Sequence, residues 1–179
     1  IGMALAYHIH QDPCPILVVQ PTVEDAEGWS KDELTPQLRD TPCLQGLVAD
    51  VRRQDGENTI RRKLYPGGQV VIVGANSARG FRRLTVRKVF FDEVDAYPSG
   101  AGDEGDQIEL GTGRTDTYWN RQVVLGSTPT LRGFSRIDQA FEKSDQRRYF
   151  VPCPHCNHYQ VLAWHNLDWS NKGTPEDPV

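Results

Sequence analysis

Four short runs of apolar residues, rich in valine, isoleucine, leucine and phenylalanine, limit what this chain can fold into. Continuous apolar runs of this length are typical of strands covered on both faces, which are usually parallel. Stretches with helical character flank and separate them. Such alternation predicts an α/β fold, with a mostly parallel sheet flanked by helices. The predicted strands cover residues 16–19, 69–73, 86–91 and 121–125, and the predicted helices cover residues 1–10, 23–38, 106–119 and 135–143.

Local signals fix two of the connections. Thr22 precedes the second predicted helix, and its hydroxyl is suited to cap that helix. Residues 59–65 alternate weakly between polar and apolar, and Pro66-Gly67-Gly68 leads from them into the strand at 69–73. A turn of this composition between two extended segments predicts a hairpin.

Two adjacent acids follow the strand at 86–91. Ligands of open α/β sheets bind at the carboxyl edge of the strands, so a ligand could reach Asp92 and Glu93 there. Phosphoryl transfer to water needs Mg²⁺ on the phosphates and a group that orients the attacking water. Asp92 suits the first role and Glu93 the second. The alternative is that the pair begins a surface loop, but the nearby Asp95 and Tyr97-Pro98 favour a site.

The strand at 121–125 closes in small and hydroxyl-bearing residues. Placed beside the acidic strand, Ser127 and Thr128 would lie near the terminal phosphate of a nucleotide, where hydroxyls can sense which nucleotide is bound. Gly126 is expected to permit a close approach of the backbone. The alternative is an ordinary turn or helix cap.

Three arginines, Arg79, Arg82 and Arg83, lie between the second and third predicted strands. One of them could neutralise charge on the transferred phosphate, as an arginine finger does in enzymes that transfer phosphoryl groups, often from a neighbouring subunit. They could instead contact DNA phosphates. The third interpretation is a solvated loop.

Charge is distributed unevenly, although the chain of 179 residues has a net charge of only −4. Ten of its twenty basic residues lie between Arg52 and Lys88, and eight acids lie between Asp92 and Asp116. A basic face beside an acidic site suits an enzyme that handles a polyanion with a metal, whereas solvated faces are the alternative. No apolar stretch approaches the roughly 18 residues of a membrane span, so neither a span nor a signal peptide is expected.

The four cysteines do not form a secreted disulfide framework, which favours a reducing cytosol. Two of them, Cys153 and Cys156, form a CxxC, which supplies half of the four ligands of a tetrahedral zinc site. The pair is therefore a candidate zinc site that a second CxxC would complete in a longer protein. Residues 149–152 and 159–162 predict a β-hairpin around it.

These segments together resemble one family, the GpA-type large terminase subunit of tailed phages. The resemblance covers nearly the whole chain, from Ile1 to Trp169, and its motifs occur in the family's order. They are residues 17–22 (LVVQPT) with Asp25-Ala26 and Trp29-Ser30-Lys31, residues 74–77 (GANS), residues 89–95 (VFFDEVD) with Tyr97-Pro98, residues 126–130 (GSTPT), and residues 153–156 (CPHC) followed by Trp164 and Trp169.

The resemblance implies a P-loop NTPase core, similar to RecA and to superfamily 2 helicases, that uses ATP and Mg²⁺ to thread double-stranded DNA into a preformed capsid. Asp92 and Glu93 then correspond to the Walker B motif, with Asp92 on magnesium and Glu93 activating water. Gly126, Ser127 and Thr128 correspond to the motif that couples hydrolysis to movement. The implied partners are the small terminase subunit, the portal protein of the procapsid and further copies of the chain, in the host cytoplasm. An endonuclease domain is expected downstream.

One departure from the family pattern is that no P-loop sequence GxxxxGK[ST] occurs. Residues 1–10 start like a helix already in progress, so we expect the natural protein to extend further, with the P-loop just upstream. Without that loop the chain is expected to bind ATP poorly and to be inactive. The expected domains are a partial ATPase core at 1–147, a zinc-ribbon-like hairpin at 148–170, and a linker or tail at 171–179.

Two other interpretations stay open. The first is a helicase or translocase of superfamily 2, which the Gln-Pro-Thr and Gly-Ser-Thr-Pro segments disfavour. The second is a zinc-ribbon module that binds nucleic acid without catalysis. Replacement of Glu93 would leave such a module unaffected, whereas an ATPase would lose turnover.

Overall fold

The computed structural model describes residues 1–48, 58–100, 105–131 and 133–166. The chain divides into two compact units, Ile1–Gln139 and Ala140–Val179. No described helix is long and apolar enough to cross a membrane.

The first unit is built on a five-stranded sheet with the order β2-β3-β1-β4-β5. Strands β1, β3, β4 and β5 are parallel, and β2 pairs with β3 in the antiparallel direction through the predicted hairpin. The predicted α/β fold with a mostly parallel sheet is therefore confirmed. The strands are β1 (Ile16–Gln20), β2 (Arg62–Tyr65), β3 (Gly68–Gly74), β4 (Lys88–Phe91) and β5 (Gln122–Leu125).

Side chains from the strands alternate between two apolar clusters, one on each face of the sheet. Ile16, Val18 and Phe90 belong to one cluster, and Leu17 and Phe91 belong to the other. Because successive strand residues point to opposite faces, a sheet covered on both faces requires apolar residues at every position. This explains why the strands appear in the sequence as continuous apolar runs.

Helices and helical turns cover the sheet. Thr22 caps α2 as predicted, since its hydroxyl oxygen accepts a hydrogen bond from the Asp25 amide at 3.1 Å. The predicted helix at 23–38 is interrupted by a π-helical turn, and the helix predicted at 106–119 ends at Gly113, since glycine has low helix propensity. The helices are α1 (Gly2–His10), α2 (Val23–Trp29), α3 (Thr35–Asp40), α4 (Gln107–Gly113) and α5 (Arg136–Glu142), with a π-helical turn at Ser30–Leu34 and 3₁₀ turns at Pro42–Leu44, Ala78–Phe81 and Val94–Ala96.

The amino edge of the sheet is held by Asp12, which precedes β1. Its Oδ2 atom lies 2.6 Å from Nη2 of Arg87 and 3.4 Å from Nδ1 of His8. The Arg87 guanidinium is the main cause that lowers the pKa of Asp12. Asp12 is therefore a structural acid at the edge opposite to the predicted site.

The second unit contains the predicted hairpin, in which β6 (Val151–Pro152) pairs antiparallel with β7 (Tyr159–Gln160). The Asn157 amide donates to the carbonyl of Cys153 at 2.9 Å and closes a tight turn. A 3₁₀ turn follows at Trp164–Asn166. The predicted tail at 171–179 lies outside the described residues, and the predicted boundaries at 147 and 170 remain predictions.

Candidate active site

The acid pair lies at the carboxyl end of an interior strand. Strand β4 runs between β1 and β5, and Asp92 and Glu93 follow its last residue, Phe91. The Asp92 amide donates to the carbonyl of Val19 on β1 at 2.9 Å, so the pairing of the two strands continues into the turn at residues 92–96, the acidic turn. This is the edge at which open α/β sheets bind their ligands.

Gln20, the last residue of β1, holds the Asp92 carboxylate. Its Nε2 atom donates to Oδ2 of Asp92 at 2.9 Å, and the residue is only 5% exposed. Its backbone carbonyl accepts from the Ala75 amide at 2.7 Å, which fixes the strand end from the other side. In the sequence, Gln20 stands out only as part of the segment LVVQPT. The available signal was a polar residue that ends an apolar strand.

Glu93 has a left-handed backbone, with φ of 52° and ψ of 48°. A non-glycine residue in a sparsely populated region of this kind costs on the order of 1–3 kcal/mol, and such residues cluster at functional sites. Glu93 is exposed, and the 3₁₀ turn Val94–Ala96 begins directly after it. The turn therefore presents an accessible carboxylate on a backbone that the neighbouring structure must hold in place.

The turn after β5, residues 126–130, lies directly against the acidic turn. The amide of Gly126 donates to the carbonyl of Phe91 at 2.8 Å, and the carbonyl of Gly126 accepts from the Val94 amide at 3.2 Å. Oγ of Ser127 accepts from the Asp95 amide at 3.2 Å, whereas Thr128 is exposed. The structure thus brings together the two strand ends that the sequence singled out.

The close approach of backbone expected at Gly126 stays a prediction, and no neighbouring protein atom requires it. A Cβ atom added there would lie 4.0 Å from the Phe91 carbonyl oxygen, which is ordinary contact, so the space does not demand glycine. The physical reason is that β4 and β5 meet at the normal spacing of paired strands. Glycine is required instead at Gly74, where a Cβ would collide with the backbone nitrogen of Val23.

Asp95 is linked to the residues that follow β5. Its Oδ2 atom accepts from both the amide and the hydroxyl of Thr130 at 2.9 Å, and its Oδ1 atom accepts from the Ile137 amide at 2.9 Å. Burial raises the pKa of Asp95, but the hydrogen bonds from Ile137, Ser135 and Thr130 outweigh this and hold the pKa well below its usual value. Asp95 is therefore held as a carboxylate.

Tyr97 links the acidic turn to β1. It is buried, and its hydroxyl donates to the carbonyl of Val19 at 2.8 Å. Burial, and after it the nearby charge of Asp92, raise the pKa of Tyr97. The phenol thus remains a donor that ties the turn to β1.

A cleft of about 530 Å³ opens beside Asp92 and Glu93 on the α2 side. Its lining includes six carboxylates, so a phosphate would be repelled there unless a cation were present. The lining residues are Gln20, Pro21, Glu24, Asp25, Gly28, Trp29, Asp32, Glu33, Asp92, Glu93 and Ala96.

The three arginines singled out in the sequence lie in the segment after β3, whose carboxyl end is at the same edge of the sheet. Arg79 and Arg83 are exposed, and Arg83 has a positive φ of 58°. None of the three belongs to the described lining of the acidic cleft. Their position at this edge is compatible with both roles considered for them, and those roles stay predictions.

Cys153 and Cys156 lie in the tight turn of the hairpin. Hydrogen bonds from the backbone of Cys156 and His155 lower the pKa of Cys153. Across the described ranges, no group of three or more His, Cys, Asp or Glu side chains could hold a metal. Two thiols are half of a structural zinc site, so the expected zinc is not supported by the described residues.

The sequence matches the profile described as "Phage terminase large subunit gpA, ATPase domain" over residues 1–178. It is 31% identical to the large terminase subunit of Escherichia phage lambda over 97% of this chain and 28% of that protein. It is also 31% identical to the large terminase subunit of Enterobacteria phage P21 over 89% of this chain and 25% of that protein. The chain thus spans about a quarter of the length of these relatives.

Among solved structures, the large terminase from a thermophilic bacteriophage aligns with 65% of this chain and 26% of its own. The sequence identity is 16% and the TM-score is 0.45. The profile match extends over nearly every residue and includes both strand ends described above. On that match, this chain belongs to the family of phage terminase large subunit gpA ATPase domains.

Proposed function

We propose that this domain is part of the ATP-hydrolysing motor of a large terminase subunit, which moves double-stranded DNA into a procapsid. The observation that carries this proposal is the acid pair at the end of interior strand β4, hydrogen-bonded through Phe91 and Val94 to the turn at Gly126. The chain represents a fraction of the relatives' length. The activity therefore belongs to the full-length protein, with the small terminase subunit, the portal protein and further copies of the chain as partners in the host cytoplasm.

Asp92 is the proposed magnesium ligand. Mg²⁺ is usually held by one or two carboxylates, together with water and phosphate oxygens, so a single aspartate at the strand end is a sufficient protein contribution. A magnesium ion held there would supply positive charge that offsets the charge of the ATP phosphates. Gln20 engages Oδ2 of Asp92 and so fixes the orientation in which the carboxylate meets the ion.

Glu93 is the proposed group that orients the attacking water and takes up its proton. Its exposure lets water reach the carboxylate, and its left-handed backbone holds it at a set direction from Asp92. The phosphates would approach from the β5 side. There Thr128 offers a hydroxyl, whereas the α2 side is lined by carboxylates.

No GxxxxGK[ST] occurs in these 179 residues, and we infer that the full-length protein supplies the phosphate-binding loop from another segment. The amides and the lysine of such a loop supply most of the contacts to the phosphates. This chain alone is therefore expected to bind ATP weakly and to show no turnover. An endonuclease domain further along the full-length protein is part of the same proposal.

The test is Glu93→Gln in the full-length protein, with ATP turnover and ATP binding both measured. Loss of a positioned general base is expected to lower kcat by about 10²–10⁴, while ATP still binds because the metal and phosphate contacts remain. Glu109→Gln is the matched control, since Glu109 is exposed on α4. Unchanged turnover in Glu93→Gln would contradict the proposal and favour a nucleic-acid-binding module without catalysis.

A further inference from the structure

Asp95 joins three segments that are separate in the sequence. It lies in the 3₁₀ turn that follows Glu93. Its amide donates to Oγ of Ser127 at 3.2 Å, and its carboxylate accepts from the amide and hydroxyl of Thr130 and from the amide of Ile137. One residue therefore links the acidic turn to residues 126–130 and to the first turn of α5.

These contacts are of a strong kind. Hydrogen bonds to an ionised carboxylate are roughly twice as strong as those between neutral groups. Both carboxylate oxygens are engaged, Oδ2 by Thr130 and Oδ1 by Ile137, each at 2.9 Å. A displacement of the acidic turn relative to either partner would break at least one of these bonds.

The first turn of α5 is also held by hydrogen bonds from Arg136. Arg136, the first residue of α5, donates from Nη1 to Oε1 of Gln107 at 3.2 Å. Gln107 is fully buried, and its Nε2 atom donates to the carbonyl of Pro98 at 2.9 Å. The first turn of α5 therefore has a fixed position relative to the segment that carries Asp95.

We propose that Asp95 is a positioning residue that makes the acidic turn, the turn at 126–130 and the start of α5 move as one body. A rearrangement at Glu93 during hydrolysis would then be passed to α5. This inference rests on the proposed ATPase function, and it adds a mechanical role for a residue whose two carboxylate oxygens are both engaged by protein donors. It predicts that Asp95 determines how strongly DNA and ATP turnover influence each other.

The test uses the full-length protein and measures the factor by which double-stranded DNA stimulates ATP turnover. Asp95→Asn places an amide N–H₂ against the Thr130 or Ile137 donors, so one link is lost while the size of the side chain is kept. We expect the stimulation factor to fall roughly two- to thirtyfold, the range of residues that carry coupling between sites. Thr130→Val, which removes only the hydroxyl donor, should lower it less, and the double variant should be less than additive.

Asp12→Asn is the matched control, because Asp12 also pairs with several donors but lies at the amino edge of the sheet. It should lower thermal stability and leave DNA stimulation within about twofold, as expected for a distant, independent site. If Asp95→Asn behaves like Asp12→Asn, or if the Asp95 and Thr130 effects simply add, the inference is overturned. Failure of the ATPase proposal has a different signature, namely full turnover in Glu93→Gln.

Discussion

At the scale of single residues, the metal chemistry proposed for Asp92 depends on Gln20. Gln20 is nearly fully buried and directs its Nε2 donor to Oδ2 of Asp92. Without that donor the carboxylate could rotate or accept water instead, so its orientation toward a cation would no longer be set. Residues that orient a metal ligand in this manner typically change metal affinity by about 10–100-fold when they are replaced.

Gln20→Leu in the full-length protein should therefore raise the Mg²⁺ concentration that gives half-maximal ATP turnover by about 10–100-fold. Turnover at saturating Mg²⁺ should fall less, because Glu93 is untouched. Gln122→Leu is the control, since Gln122 accepts from Nζ of Lys88 at the amino edge of the same sheet. An unchanged Mg²⁺ requirement in Gln20→Leu would show that Gln20 does not orient the metal ligand.

The sequence could predict the positions of Asp92 and Glu93 but not the partners of these acids. An acidic pair after an apolar run is a local pattern. The contact between Gln20 and Asp92 spans 72 positions, and that between Asp95 and Thr130 spans 35. Such contacts depend on which strands are neighbours and in what register, and no local pattern encodes this.

At the scale of elements, the packing of α4 against β4 holds the acidic turn from one face of the sheet. Gly111 lies inside α4, and a Cβ atom added there would lie 2.6 Å from Cζ of Phe91. Phe91 is the last residue of β4 and directly precedes Asp92. An overpacked side chain at Gly111 must therefore displace either the helix or the strand end that carries the acids.

Gly111→Ala should lower the free energy of unfolding by about 1–3 kcal/mol, as overpacked cores do, and should also lower ATP turnover in the full-length protein. Gly113→Ala is the control in the same helix. Its Cβ would have only Oδ2 of Asp116 at 4.0 Å, so the better helix propensity should leave stability unchanged or raise it by up to about 1 kcal/mol. Denaturant unfolding of both variants measures the difference, and equal stability would contradict the proposed packing constraint.

The strands were easier to predict than the helices, for a physical reason. Residues of β1, β3, β4 and β5 pack into the apolar clusters on the two faces of the sheet. These strands are therefore recognisable in the sequence as continuous apolar runs. The glycines of α4 have two opposing effects on the helix. They weaken the helix by propensity, yet Gly111 is needed because the ring of Phe91 occupies the space of a side chain. A propensity scale detects the first effect only.

At the scale of the whole chain, the charges divide between carboxylates beside Asp92 and arginines after β3. The acidic cleft excludes DNA phosphates unless cations screen it, whereas Arg79 and Arg83 are exposed outside its lining. An arginine finger that acts within one chain would have to reach the acid pair, and neither residue lines the cleft beside it. We therefore expect contact with the DNA backbone for Arg79 and Arg83, and an arginine finger that acts on a neighbouring subunit is the alternative.

Arg79→Ala and Arg83→Ala in the full-length protein should each weaken DNA binding at all sequences alike. Each lost phosphate contact should make the plot of log affinity against log salt concentration less steep by about 0.9, while basal ATP turnover stays near normal. Arg39→Ala, which removes an exposed arginine paired with Asp40 on α3, should leave that slope unchanged. A fall in kcat of about 10³–10⁵ with an unchanged salt slope would instead identify an arginine finger acting on a neighbouring subunit.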